Sequence, residues 1–309
     1  MWSSILEQIL DLSIIAIILR ATTPILLASL GGLISDITGV TNIGLEGLLL
    51  ISAFTSIAVS SVTGLWYIGV LAGIVICILI SLLMGVFHLK MQVNIIITGF
   101  AINLVGSAGT IFMMSKLFHV TGGYAPTNLS RIPSIRIPFV DDIPLLGNLL
   151  SGHNLMVWIA LLSVVLVYVL LYKTPYGVHL RAIGESSQAA NSVGIPVRRL
   201  QYSAFAWSGF FVGLGGAFFS LGMTGMFVKD MTAGTGFLAL AVVLLGNRNP
   251  VGVFLGSLVF GTAKAFETML QTIPNSPIPS QFVQVIPYVV TILALVIYAI
   301  QRKARQLNA

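Results

Sequence analysis

The sequence predicts an all-α, polytopic membrane bundle of about eight full spans plus a short broken helix, forming one domain over residues 1–309. Three observations carry that prediction. Apolar residues make up 57% of the chain and charged residues only 8%, against about a quarter charged in soluble domains. The mean hydropathy is +1.01, so lipid is the solvent for all but the loops. Long apolar runs recur from end to end, and their Lys and Arg gather in alternate connections, as the positive-inside rule requires.

The elements follow in order. A first span runs from Leu12 to Ser35, interrupted by Arg20, Pro24 and Gly31-Gly32, and a polar turn leads to a second from Ile43 to Val62. The third covers Leu65 to Phe87 and ends at His88 and Lys90; the fourth runs from Asn94 to Met114. Residues 115–154 then form the longest non-apolar segment, with Pro126, Pro133, Pro138, Pro144 and acidic Asp141-Asp142, and are expected outside. The fifth span is Leu155 to Tyr172. The sixth, Tyr202 to Leu221, is dense in glycine, which lets helix backbones approach closely. Gly234 to Asn247 is too short for a straight span and reads as a broken helix buried among its neighbours. Val251 to Leu270 and Phe282 to Ile300 complete the set, and Arg302, Lys303 and Arg305 place the C-terminus in the cytoplasm.

Between the fifth and sixth spans lies a basic loop, residues 173–201, with Lys173, Arg181, Arg198 and Arg199 opposed only by Glu185. The positive-inside rule makes it cytoplasmic. Glu185 or Ser186 can cap a two-turn helix over Gln188 to Val193, Gly194 ends it, and Pro196 prevents its return. Small Ala189 and Ala190 on that helix suit a groove on a cytosolic partner. Gly184 and Gly194 bracket it, and Arg181 and Glu185 are placed to pair with the partner or the membrane face. A solvated loop that merely sets orientation is the plainer alternative.

Two stretches resemble each other. One starts at Leu27 (LASLGGLISDITGVTNIGLEG) and the other at Val212 (VGLGGAFFSLGMTGMFVKDMTAGTG). Each has a Gly-Gly inside a span, a polar turn and a glycine-led apolar helix, and the two enter the membrane in opposite senses. That is the pattern of an inverted repeat.

Charged and amide side chains within spans are the candidates for chemistry. Glu46 lies near the cytoplasmic start of the second span, just after Asn42; its plainer role is to cap the turn at Val40-Thr41 or to partner a neighbouring chain. Lys264 and Glu267 stand three apart and can neutralise each other. Arg20 can bond backbone carbonyls. Asn42, Phe54, Asn94, Thr98 and Asn103 offer amide, hydroxyl and aromatic groups to a neutral polar solute, with helix-to-helix bonding as the structural alternative. Glu46, Lys264 and Glu267 complete the candidate pathway. His88, His119, His153 and His179 show no metal-ligand spacing, and there is no GxxxxGK[ST] phosphate loop. No catalytic residue, metal or cofactor is therefore expected in this chain. Cys77 has no second cysteine to pair with. Glu7 and Asp11 stand where a cleaved signal would carry Lys or Arg. The net charge of +6 is topological and implies no nucleic acid.

TNIGLEGLLLISAF at Thr41 to Phe54, RAIGESSQAANSVGI at Arg181 to Ile195 and GNRNPVGVFLGSLVFGTAKAF at Gly246 to Phe266 resemble, in the same order, motifs of permeases from ATP-binding-cassette importers of nucleosides and simple sugars. The NIGLEG form is more similar to the purine-nucleoside group. The resemblance implies a nucleoside permease in the cytoplasmic membrane of a prokaryote, with a second homologous permease and an extracellular binding protein. It also implies a cytosolic ATPase, carrying ATP and Mg, at the coupling loop. Two alternatives stand beside it: a pentose permease of the same architecture, and a self-sufficient ion-coupled carrier using Glu46 or Glu267.

Overall fold

The structure, a computed structural model, describes residues 13–135, 152–272, 282–293 and 296. Expectations that fall on Glu7, Asp11, Pro138, Asp141, Asp142, Pro144, Arg302, Lys303 and Arg305 lie outside the described residues, as does the far end of the last span.

Seven described helices are long and apolar enough to cross a membrane. In chain order the helices are α1 (Ser13–Ile37), α2 (Leu45–Thr63), α3 (Trp66–Gly85), α4 (Ile95–Phe118), α5 (Leu155–Lys173), α6 (Pro175–Glu185), α7 (Ser187–Ser192), α8 (Val197–Ala217), α9 (Thr235–Leu245), α10 (Pro250–Thr272) and α11 (Phe282–Leu293). Wide turns of helix prolong α3 through Val86–Lys90 and α8 through Phe218–Thr224. Two short ribbons, β1 (Gly123–Tyr124) with β4 (Phe227–Val228) and β2 (Ser134–Ile135) with β3 (His153–Asn154), fold parts of the 115–154 segment back onto the bundle.

The helix starts follow local capping chemistry. Asn94 caps α4 by accepting from the Ile96 N–H at 2.8 Å, and Asn154 does the same for α5 through Met156 at 3.0 Å. At α6, Thr174 accepts from Gly177 N–H and Pro175 occupies the first turn, where its missing N–H costs nothing. The sixth span starts earlier than its hydropathy suggests, at Val197, because Arg198 and Arg199 stay on the exposed face while Gln201 and Ala204 turn inward.

α8 is the centre of the bundle. Its spanning window is 83% buried, against 33% for α4 and for α5. Glycines make that possible: a side chain on Gly209 or Gly213 would strike the α3 backbone at Cys77 or Ile74.

α1 and α8 run antiparallel through this centre. The end of α1 meets the start of α8, where Gln201 Nε2 donates to Thr38 O at 3.4 Å. Near its own start, α1 uses the Arg20 guanidinium to donate to the Met223 carbonyl at 2.6 Å, closing the end of α8. This is the carbonyl-bonding role expected of Arg20. Exchanging α1, α2 and α3 for α8, α9 and α10 maps the packing onto itself. α3 lies on α8 and α2 as α10 lies on α1 and α9, and α2 lies on α8 as α9 lies on α1. The inverted repeat is thus present in the helix packing.

Candidate functional site

Two breaks in the helical backbone meet inside the bundle. The first follows α1. From Asp36 the chain turns inward, and Asn42, wholly buried, ties the segment down. Its backbone N–H donates to Ser35 Oγ at 3.2 Å, and its Nδ2 donates to Ser208 Oγ at 2.9 Å and Ser81 Oγ at 3.3 Å. Its Oδ1 accepts from Gly44 N–H at 3.0 Å. Asn103, on α4, completes the clamp: Oδ1 accepts from Gly47 N–H at 2.8 Å and Nδ2 donates to Ile43 O at 3.1 Å. The free N–H groups that open α2 are therefore met by amide side chains.

The second break precedes α9. Asp230, Ala233 and Gly234 take φ values of 53°, 43° and 76°, a region L-residues seldom adopt. The chain enters from the end opposite Asp36, and α9 begins beside the first turn of α2. There Glu46 closes it. The carboxylate accepts from Thr232 Oγ1 at 2.6 Å, Gly234 N–H at 2.9 Å and Gly236 N–H at 2.6 Å. A helix N-terminus carries partial positive charge and unpaired donors, so an anion fits there. Gly236 must be glycine, because any side chain would strike the Glu46 backbone. Tyr288 of α11 donates to the Ala233 carbonyl at 3.1 Å.

These contacts correct several sequence expectations. Glu46, in the first turn of α2 as expected, caps α9 rather than the Val40-Thr41 turn. Asn42, Glu46 and Asn103 have polar atoms engaged by the chain itself, in closing the two backbone breaks. Asn94 sits exposed at the mouth of α4, and Thr98 bonds the Asn94 carbonyl at 3.1 Å within the same helix. Phe54 is packed edge-on against Phe118 and Phe227, at 6.3 and 5.4 Å, under β4. Lys264 and Glu267 do form the expected pair at 2.8 Å, and Gln271 donates to Glu267 Oε1 at 3.1 Å.

The basic loop holds two helices where one was expected. Ser186, rather than Glu185, caps α7 by accepting from Ala189 N–H at 3.2 Å, and Gly194 ends it at φ +84°. Ala190 is only 4% exposed, which corrects its assignment to an outward docking face. Ala189, Gln188 and Glu185 remain exposed. Arg181 lies over the Tyr172 ring at 4.7 Å, tied to α5 rather than reaching outward. Gly184 packs against the Ile37 carbonyl, where a side chain would collide. Tyr176 donates or accepts at Ser203 Oγ, 2.7 Å away, and its burial raises its pKa. The loop is thereby tied to the end of α1 and the start of α8, which meet at one end of that pair.

Sequence reasoning missed four features. Arg248 pairs with Asp36 at 3.3 Å, joining the end of α9 to the end of α1. Ser81 and Ser208 supply the acceptors for Asn42. Tyr288 closes Ala233. Ser107 holds Asp230 at 2.8 Å. The signal for the last was a charge four residues ahead of a glycine-led apolar helix. Among the described residues no group of three His, Cys, Asp or Glu is placed to hold a metal.

Residues 14–295 match the family described as branched-chain amino acid transport system / permease component. The chain is 33% identical to the nucleoside ABC transporter permease protein NupC of Lactococcus lactis over 307 residues, 96% of each chain. It is 32% identical to the guanosine ABC transporter permease protein NupQ of Bacillus subtilis, covering 93% of this chain and 92% of the relative. It is also 30% identical to a putative glucose ABC transporter permease protein, TsgC13, of Haloferax volcanii, covering 92% and 90%.

Proposed function

This chain belongs to the branched-chain amino acid transport system / permease component family, and from that premise we propose that it is the permease subunit of an ATP-driven nucleoside importer. The carrying observation is the 33% and 32% identity to two nucleoside permeases over more than nine-tenths of the chain. The family description names another substrate, but full-length relatives speak more directly to the cargo. Purine nucleosides are the favoured class, since the relative NupQ is named for guanosine.

The geometry fits an alternating-access device. The short helix α9, opening against the first turn of α2 within an inverted repeat, brings irregular backbone into the bundle, tolerated at lipid depth only where protein or a pathway surrounds it. In this reading a cytosolic ATPase, with its ATP and Mg, docks on the exposed residues of α6 and α7. Its closure moves Gly184 against the end of α1, and the displacement passes through Thr38 to Asn42 and the start of α2. The chain itself supplies no catalytic group. A second homologous permease completes the pathway, and an extracellular binding protein delivers the solute. The membrane is the cytoplasmic one, with the 115–154 side outward and the basic loop inward.

A simple-sugar cargo is the second reading, favoured by the similarity to TsgC13. Uptake of one labelled nucleoside, against a panel of unlabelled nucleosides and pentoses, separates the two. Competition by nucleosides alone is expected. Competition by pentoses alone overturns the cargo but leaves the permease.

A further inference from the structure

Against the middle of α4 lies the side chain of Asp230, a carboxylate from the second backbone break that takes no part in closing either break. Ser107 is near the centre of Ile95–Phe118, about 18 Å from either end of that helix. Its hydroxyl donates to Asp230 Oδ1 at 2.8 Å. An ionisable side chain at that depth is retained where it has a partner or a task. Glu46 closes α9, Glu267 has Lys264, and Asp36 has Arg248. Among the described residues, the Asp230 carboxylate has only the Ser107 hydroxyl, and Asp230 is exposed.

The elements that carry Ser107 and follow Asp230 also present exposed apolar and aromatic side chains. Leu104, one turn from Ser107, is 71% exposed, and Phe237, in the first turn of α9, is 42% exposed. The Tyr288 ring is held beside the same break by its bond to Ala233. A fixed acceptor with flat apolar faces nearby suits a neutral solute that has hydroxyl donors and a planar ring.

Resting on the nucleoside reading, we propose that Asp230 determines specificity in this permease. Its carboxylate accepts hydrogen bonds from the vicinal hydroxyls of a neutral solute, and Ser107 fixes its rotamer. A carboxylate only accepts, and its two oxygens match two adjacent hydroxyl donors. The same chemistry is offered by a nucleoside's ribose and by a free pentose, so both belong in the test.

The experiment uses the complete transporter, with its ATPase and binding protein, in vesicles. Solute is kept saturating so that the binding protein stays loaded and maximal rate reads passage through the membrane. Labelled adenosine is compared with its 2′-deoxy and 3′-deoxy analogues. Wild type should favour adenosine by roughly tenfold or more, the usual discrimination of a charged acceptor that loses its donor. Asp230→Ala should bring the ratio to about one, and Ser107→Ala should lower it part of the way, because the carboxylate remains but is no longer oriented. If Asp230→Ala fails to insert, the near-isosteric Asp230→Asn gives the same readout and should also reduce the ratio. A merely structural role would lower all three rates together and leave the ratio intact. A wild-type ratio in these variants, or no preference in wild type, overturns the proposal. If no nucleoside passes, the cargo reading fails instead, and ribose against 2-deoxyribose then decides the role of Asp230.

Discussion

The junction between α2 and α9 and the basic loop treat their polar side chains in opposite ways. At the junction, Asn42, Glu46 and Asn103 direct their polar atoms to backbone or side-chain groups of the same chain. In the loop, Glu185, Gln188 and Ala189 face outward while Ala190 and Gly184 pack inward. Lipid explains the difference. Inside the bundle no water waits to satisfy a free N–H, so a polar side chain is first a remedy for a broken helix. At the water-facing loop the helix ends can be solvated, so exposed side chains are free to meet a partner. A buried polar residue in a span is therefore weaker evidence of solute contact than its rarity suggests.

Substitutions can sharpen that contrast or break it, starting with the largest expected loss of stability. Glu46→Leu removes a carboxylate with three charge-assisted bonds and leaves the Thr232, Gly234 and Gly236 donors unmet. A cost of about 3–5 kcal/mol is expected. The variant should not yield a monodisperse protein in detergent. Purification with an unchanged Tm would show that the junction is not held this way.

Asn103→Leu comes next, since it strips the bonds to Gly47 and Ile43. A loss of about 2–3 kcal/mol should appear as a lower Tm in detergent, with a slower uptake rate as its consequence. Normal stability with altered order of competing solutes would return Asn103 to the pathway.

Within the loop, Ala190→Arg and Ala189→Arg form a matched pair on one short helix. Ala190→Arg forces a large charge into a packed site and should lower Tm by an amount matching about 1–3 kcal/mol. Ala189→Arg should leave Tm unchanged yet abolish uptake and co-purification of the ATPase. If both variants keep normal uptake at normal expression, the docking reading of α7 is wrong.

Arg248→Ala should matter least to stability. Its side chain is 49% exposed, so its ion pair with Asp36 is screened by water and contributes less than about 1 kcal/mol. A larger shift in Tm would mean that the end of α9 is clamped to α1 more firmly than an exposed ion pair allows.

By itself the sequence determined the membrane class and the seven spans from α1 to α10 in their order, because apolar length is a local property. The short Gly234–Asn247 helix, the Lys264–Glu267 pair and the α7 stop at Gly194 were legible for the same reason: each depends on neighbours within a few residues. The resemblance between the stretches at Leu27 and Val212 also pointed correctly to the inverted packing. Only the tertiary structure decided what the polar residues do. Glu46 finds its donors at Thr232, Gly234 and Gly236, nearly two hundred positions along the chain, at distances of 186, 188 and 190 residues. Ser107 and Asp230 are separated by 123 residues. Hydropathy records that such a residue is costly to bury. Which partner offsets that cost depends on where the starts of α2 and α9 happen to meet, and that is set by the packing of the whole bundle.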